Sequence, residues 1–199
     1  MNAPGMKHGE DYVIRQKVLK LLGESFHVYD AEGRVVGYCK QKAFRLRESF
    51  AFYTDDSKSE VLFEIGTPNV IDFGATYRVR LASGDELGSL RRKGIRSIAR
   101  DTWEVLGPGG GLLATLEEDS AGMAVARRFV PLVAAFSPQV LHLRRSGDNA
   151  ELATIRKHFN PVVHRASVSL GEPDERVDEL LILAAACVHM AIDARQGDD

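Results

Sequence analysis

Thirteen consecutive residues near the C-terminus, Leu180 to Ile192, carry a single polar side chain, His189. This run constrains the fold more than any other feature of the chain. As a helix it extends about 20 Å at about 1.5 Å per residue, whereas the hydrocarbon core of a bilayer requires about 30 Å. Lengthening it takes in Asp178 and Glu179 on one side and Asp193 and Arg195 on the other, charges that a spanning helix would have to submerge. Its flanks suit a helix in water. Pro173 fits a first turn, Asp174 and Glu175 favour the positive N-terminal end and Arg195 the C-terminal end, which places a helix over about 173–195. A helix that is apolar on every face must nevertheless be enclosed. The alternatives to enclosure by its own chain are a tail anchor and a helix that inserts into a partner; length and charged borders favour enclosure.

What could enclose it is written in a repeat. The stretch "FHVYDAEGRVVGYCKQKAFRL", residues 26–46, aligns without gaps on "YRVRLASGDELGSLRRKGIRS", residues 77–97. The identical pairs are Val28/Val79, Ala31/Ala82, Gly33/Gly84, Gly37/Gly88, Lys42/Lys93 and Arg45/Arg96. Each copy alternates apolar and polar residues, turns at a Gly, and returns on a second strand with its own Gly, the pattern of a β-hairpin. Two looser echoes, residues 103–118 and 140–157, share an LAT triplet after the turn, and "SFAFYTD" with "EVLFEIG" forms another hairpin across "DSKS". Single strands at "YVIRQKVL" and "RASVSL" bring the total to about twelve. Short, regularly spaced strands without a βαβ rhythm predict an all-β fold, a closed antiparallel barrel of about twelve strands. Side chains alone would not fill its lumen, but one helix about 10 Å across would. The chain thus reads as one domain over residues 11–196 after a flexible N-terminus at 1–10. Residues 123–136 are ambiguous between strands, favoured by Pro131, and a short helix.

With 26 basic and 28 acidic residues, bulk attraction to nucleic acid or to an anionic membrane is not expected, although a local patch remains open. Cys39 and Cys187 belong to no CxxC or Cys/His pattern and read as reduced thiols of a cytoplasmic protein. The N-terminus lacks a secretory pattern. None of the six histidines has metal-ligand spacing, "GPGGG" lacks the GK[ST] ending of a phosphate loop, and "DFG" lacks its kinase partners. No catalytic residue, cofactor or metal site is expected. His189 and Asp193 lie one helical turn apart, a spacing that suits a satisfied buried histidine.

The densest positive stretch is "RRKGIRSIAR", containing Arg91, Arg92, Lys93, Arg96 and Arg100. On a strand Arg91 and Lys93 share a side and could grip a phosphate headgroup or an acidic protein surface. In the first repeat Lys42 and Arg45 occupy the places of Lys93 and Arg96, a pseudo-equivalent basic spot. The competing reading is a solvated strand face. Arg127, Arg128, Arg144 and Arg145 are weaker candidates of the same kind.

The paired-Gly hairpins, the basic exit "LRRKGIRSIARDTWEVLG" into an aromatic strand and the apolar terminal helix together resemble the LURP-one-related proteins, which belong with the tubby C-terminal domain and the phospholipid scramblases. The resemblance runs from about Tyr12 to Arg195. It implies a twelve-stranded barrel around a central hydrophobic helix. From the tubby relatives it implies phosphoinositide binding by basic residues on the barrel exterior, and from the scramblases lipid movement linked to calcium. The expectation is therefore a non-enzymatic tubby-like barrel, cytoplasmic or peripheral at a membrane, that binds anionic phospholipid headgroups or acts as an interaction module. The alternatives are a scramblase-like transporter anchored by the last helix and a protein-binding scaffold.

Overall fold

The computed structural model describes residues 11–19, 23–41, 50–66, 76–93, 102–119, 139–158 and 164–196. They form twelve strands: β1 (Asp11–Leu19), β2 (Gly23–Tyr29), β3 (Val35–Gln41), β4 (Phe50–Tyr53), β5 (Val61–Gly66), β6 (Thr76–Leu81), β7 (Glu86–Arg92), β8 (Thr102–Leu106), β9 (Leu112–Glu118), β10 (Val140–Arg145), β11 (Glu151–His158) and β12 (His164–Leu170). A helix, α1 (Glu179–Gln196), follows. Each strand pairs antiparallel with its sequence neighbours, and β1 closes on β12 through registers from Asp11↔Ser169 to Gln16↔His164. The barrel has no free edge, the usual template for unwanted strand addition.

The repeat is a repeat of backbone geometry. In the first hairpin Val28 faces Gly37 and the register then slips, so that Tyr29 pairs with Val35; in the second Val79 faces Gly88 and Arg80 pairs with Glu86. The looser echoes slip at the same place. Ala114 of one LAT triplet faces Val105, Ala153 of the other faces Leu143, and each pair immediately precedes a shift. The β4–β5 hairpin does likewise after Phe52↔Phe63. A bulge recurring at one level of five hairpins bends and twists the strands together, the deformation that closure needs. The turn glycines Gly33 and Gly84 sit at φ +78° and +92°, where other residues are strained.

Alternate residues of the strands point inward and share one hydrophobic core with α1. Tyr12, Ile14, Val79, Ala114, Leu141, Leu143, Ala153, Ala166 and Val168 are fully buried, and all ten helical residues from Leu181 to Met190 are buried. From Leu180 to Met190 the apolar run is thus enclosed by its own barrel. The helix begins later than the expected Pro173. Asp178 caps it, accepting the Leu180 backbone N–H on Oδ1 at 2.8 Å, while its carbonyl accepts Leu181 N–H at 2.9 Å. Asp174, expected in the first turn, is held by arginines outside the helix. Among the described residues no helix is long and apolar enough to cross a membrane. Cys39 and Cys187 are buried, free thiols.

Candidate functional site

On β7 the inward positions are Gly88 and Leu90, both buried, so Arg91 projects outward. On β8 Trp103 and Val105 face the lumen and Glu104 faces out. Pairing of β7 with β8 sets Arg91 directly opposite Glu104. The Arg91 guanidinium donates through Nε at 2.7 Å and through Nη2 at 2.5 Å to Glu104 Oε2, and Lys93 Nζ reaches Glu104 Oε1 at 3.1 Å. The Glu104 side chain is 10% exposed, against 49% for Arg91 and 53% for Lys93. Burial tends to raise the Glu104 pKa, but the hydrogen bonds and charges of the two cations outweigh it and hold the carboxyl below its usual range. Two half-exposed cations on one buried carboxylate leave the cluster one positive charge, close to the end of β7.

Arg91 and Lys93 therefore share a side, as alternation predicts. Glu104, which binds them both, escapes a sequence reading because only the inter-strand register sets it opposite Arg91. Arg96, Lys42 and Arg45 lie outside the described residues, as do Arg100, Arg127 and Arg128. Three strands, β4, β5 and β6, stand between β3, which precedes Lys42 in sequence, and β7.

The weaker candidates divide. Arg145 holds the approach to the helix: it donates to Asp148 at 2.8 Å and to the Pro173 carbonyl at 3.2 Å, and its Nε lies 2.7 Å from Asp174 Oδ2. Asp174 also binds Arg176 at 3.0 Å. Arg144 stands half-buried on the outer face of β10. On that face His142 Nδ1 lies 2.7 Å from Glu151 Oε2, and Thr154 donates to the same carboxylate at 2.6 Å. Among the described residues no group of three His, Cys, Asp or Glu is arranged to hold a metal ion. "GPGGG" is the β8–β9 turn, closed by a Gly110 N–H to Gly107 carbonyl bond of 2.8 Å. His189 is buried in the lumen, its ring 6.3 Å from that of Trp103. A further set of cations, Arg15, Arg156 and Arg165, is scattered in sequence but gathered on the neighbouring strands β1, β11 and β12. Its only sequence signal is that each occupies an outward position of an alternating strand.

The family model for LURP-one-related proteins matches residues 35–190. Among curated proteins none matches the sequence significantly. The chain is similar in structure to a protein of Arabidopsis thaliana solved by X-ray crystallography, with a TM-score of 0.52 at 13% identity, covering 95% of this chain and 93% of that one. At that identity the likeness speaks for the fold alone, and it repeats the closed barrel with its helix over nearly the full length. The family match spans β3 to the buried part of α1, so the chain belongs to the LURP-one-related family.

Proposed function

We propose that the chain is a non-enzymatic binding module that takes anionic phospholipid headgroups on the outside of its barrel. Arg91 and Lys93 are the contact residues, with Arg96, Lys42 and Arg45 as supporting cations, and the membrane contact is peripheral. The observation that carries this reading is the filled lumen. With Leu181 to Met190 buried along the axis, the space in which barrels hold small ligands is taken by the chain itself, and recognition falls to the exterior and the rims. There the Arg91 guanidinium offers a fork suited to phosphate oxygens and Lys93 a point charge, with one positive charge left after Glu104 is counted. Flotation with phosphatidylcholine vesicles doped with phosphatidylserine or a phosphoinositide tests it. Wild type should float with the anionic vesicles and Arg91→Ala/Lys93→Ala should not. Failure of the wild type to float with either lipid removes the reading.

A further inference from the structure

Six outward residues form one continuous row across six neighbouring strands. His158 on β11 faces Arg165 on β12, Arg165 faces Arg15 on β1, Arg15 faces His27 on β2, His27 faces Tyr38 on β3, and Tyr38 faces Tyr53 on β4. The adjoining outward row runs Arg156, Ser167, Val13, Tyr29. On the other side Lys17 and Lys40 share the cross-strand partner Ser25. None of these positions holds an acidic residue. The outward sense is fixed by the buried neighbours Ile14, Ile155 and Ala166. Arg15, Arg156, His158 and Arg165 are exposed.

Like charges set directly opposite each other destabilise a sheet, and Arg15 and Arg165 are such a pair. Among the described residues no carboxylate forms a salt bridge with Arg15, Arg156 or Arg165. Aromatic rings take that place. The Arg15 guanidinium lies 5.2 Å over the Tyr29 ring, Lys58 Nζ lies 5.9 Å over Tyr38, and the His27 ring packs on Tyr38 at 4.8 Å. A ring face holds a cation without neutralising it. The uncompensated field is visible at His158, whose pKa is pushed down by burial first and then by the charges of Arg165 and Arg156.

We propose that this row binds single-stranded nucleic acid, with the arginines on backbone phosphates and the His27, Tyr38 and Tyr53 rings offered to bases. Charge complementarity calls for a polyanion, and arginine forks suit phosphate. Shape then separates the polyanions. Strands stand about 4.8 Å apart, and a row over six of the twelve strands follows half the circumference of the barrel. A flat bilayer meets a convex wall only along a narrow band, whereas a flexible strand can follow the curve. Cations continuing into partly exposed rings are the pairing that single strands use, phosphates on charge and bases on π faces. The near-zero net charge of the chain is no obstacle, because the charge is gathered locally. Arg15, Arg156 and Arg165 are not among the headgroup contacts, and β1, which carries Arg15, lies six strands from the β7 of Arg91 in either direction.

The test uses the full chain and fluorescein-labelled oligo-dT and oligo-U of about fifteen nucleotides, a length within the site sizes of such surfaces, followed by anisotropy across salt. Wild type should bind, and log affinity should fall against log salt with a slope of about −2, from three arginines at roughly 0.7 per phosphate. Arg15→Ala/Arg165→Ala should lose about tenfold in affinity at low salt and about 1.4 units of slope, and Arg156→Glu should weaken binding as a second, single-site variant. Circular dichroism and thermal unfolding check that both stay folded. Arg91→Ala/Lys93→Ala should bind the oligonucleotides as wild type does, even if it loses vesicles. Absence of wild-type binding at low salt, or wild-type affinity in both belt variants, overturns the proposal. So does loss of phosphatidylserine vesicle binding in those variants with no oligonucleotide binding by wild type, which would identify a membrane face.

Discussion

Gly88 on β7 faces Leu181 of the helix: a Cβ on Gly88 would stand 3.0 Å from Leu181 Cδ2 and would run into the Leu106 carbonyl oxygen. Backbone cannot yield as a flexible side chain can. Gly88→Ala should therefore destabilise the protein by about 2 kcal/mol, the usual range of overpacking, and lower Tm by roughly 4–8 °C. The repeat supplies the control. A Cβ on Gly37 would meet only the Val28 and Leu62 side chains, the nearest at 3.2 Å, so Gly37→Ala should cost distinctly less. Scanning calorimetry of both variants decides it; equal losses would mean that the Leu106 carbonyl and Leu181 give way as readily as the side chains around Gly37.

Enclosure of the helix makes it part of the folding unit. Leu183, 1% exposed, should cost about 3 kcal/mol when cut to Ala, as buried leucines do. A chain ending at Glu172 should show no cooperative unfolding transition in urea. A truncated chain that melts as sharply as the full one would show that the barrel does not need its plug.

The fold was legible because its signals were local. Val28, Gly33 and Gly37 recur as Val79, Gly84 and Gly88, and Ala114 and Ala153 of the LAT triplets fall at the same bulge level. The candidate sites were less legible because they form across strands. Arg91 and Lys93 are two residues apart and their common side follows from period two, but Glu104 becomes their partner only through the β7–β8 register. Arg15, Arg156 and Arg165 are scattered along the sequence and become neighbours only when β1 closes on β12 and β12 pairs with β11. The start of the helix was misplaced because Asp174 reads equally well as a first-turn acid and as an arginine partner. Contacts with Arg145 and Arg176 fix the second role.

Those contacts give stability a pH dependence. Hydrogen bonding to Arg176 leads the causes that bring the Asp174 pKa down to about 2, against burial, which raises it. A carboxyl lowered on folding contributes fully above its unfolded value of about 3.9, and the contribution disappears as pH falls through the folded value. Urea midpoints should therefore drop between about pH 4 and pH 2, and Asp174→Asn should start lower at pH 7, by about 2 kcal/mol for lost charged hydrogen bonds, and fall less steeply on acidification. A parallel pH profile for the variant would exclude Asp174 as the source.

The thiols report on the same core. Burial pushes Cys39 up to about 12 and drives Cys187 in the same direction. The thiolate is the reacting species, so at pH 8 both cysteines should react with Ellman's reagent only as fast as the barrel opens, and two equivalents should appear at once in denaturant. Cys187→Ser should leave one slow thiol. Prompt labelling of either residue in the native protein would place it outside a closed lumen.

Glu104 is the residue that separates a structural ion cluster from a binding site. Held below the usual carboxylate range, it stabilises the fold at neutral pH, and that contribution is lost as pH falls through its folded pKa. Glu104→Gln keeps the shape and removes the charge, leaving Arg91 and Lys93 with two uncompensated positive charges in place of one. Stability should fall by about 1–2 kcal/mol, since charged hydrogen bonds are replaced by weaker ones. If the pair meets headgroups, vesicle affinity should move the opposite way, up roughly fivefold, because one cation near an anionic surface contributes about 1 kcal/mol. Vesicle co-sedimentation at pH 7 measures the second effect and urea unfolding the first. A variant that is less stable yet binds anionic vesicles no better than wild type would assign Arg91 and Lys93 to holding β7 against β8 and nothing more.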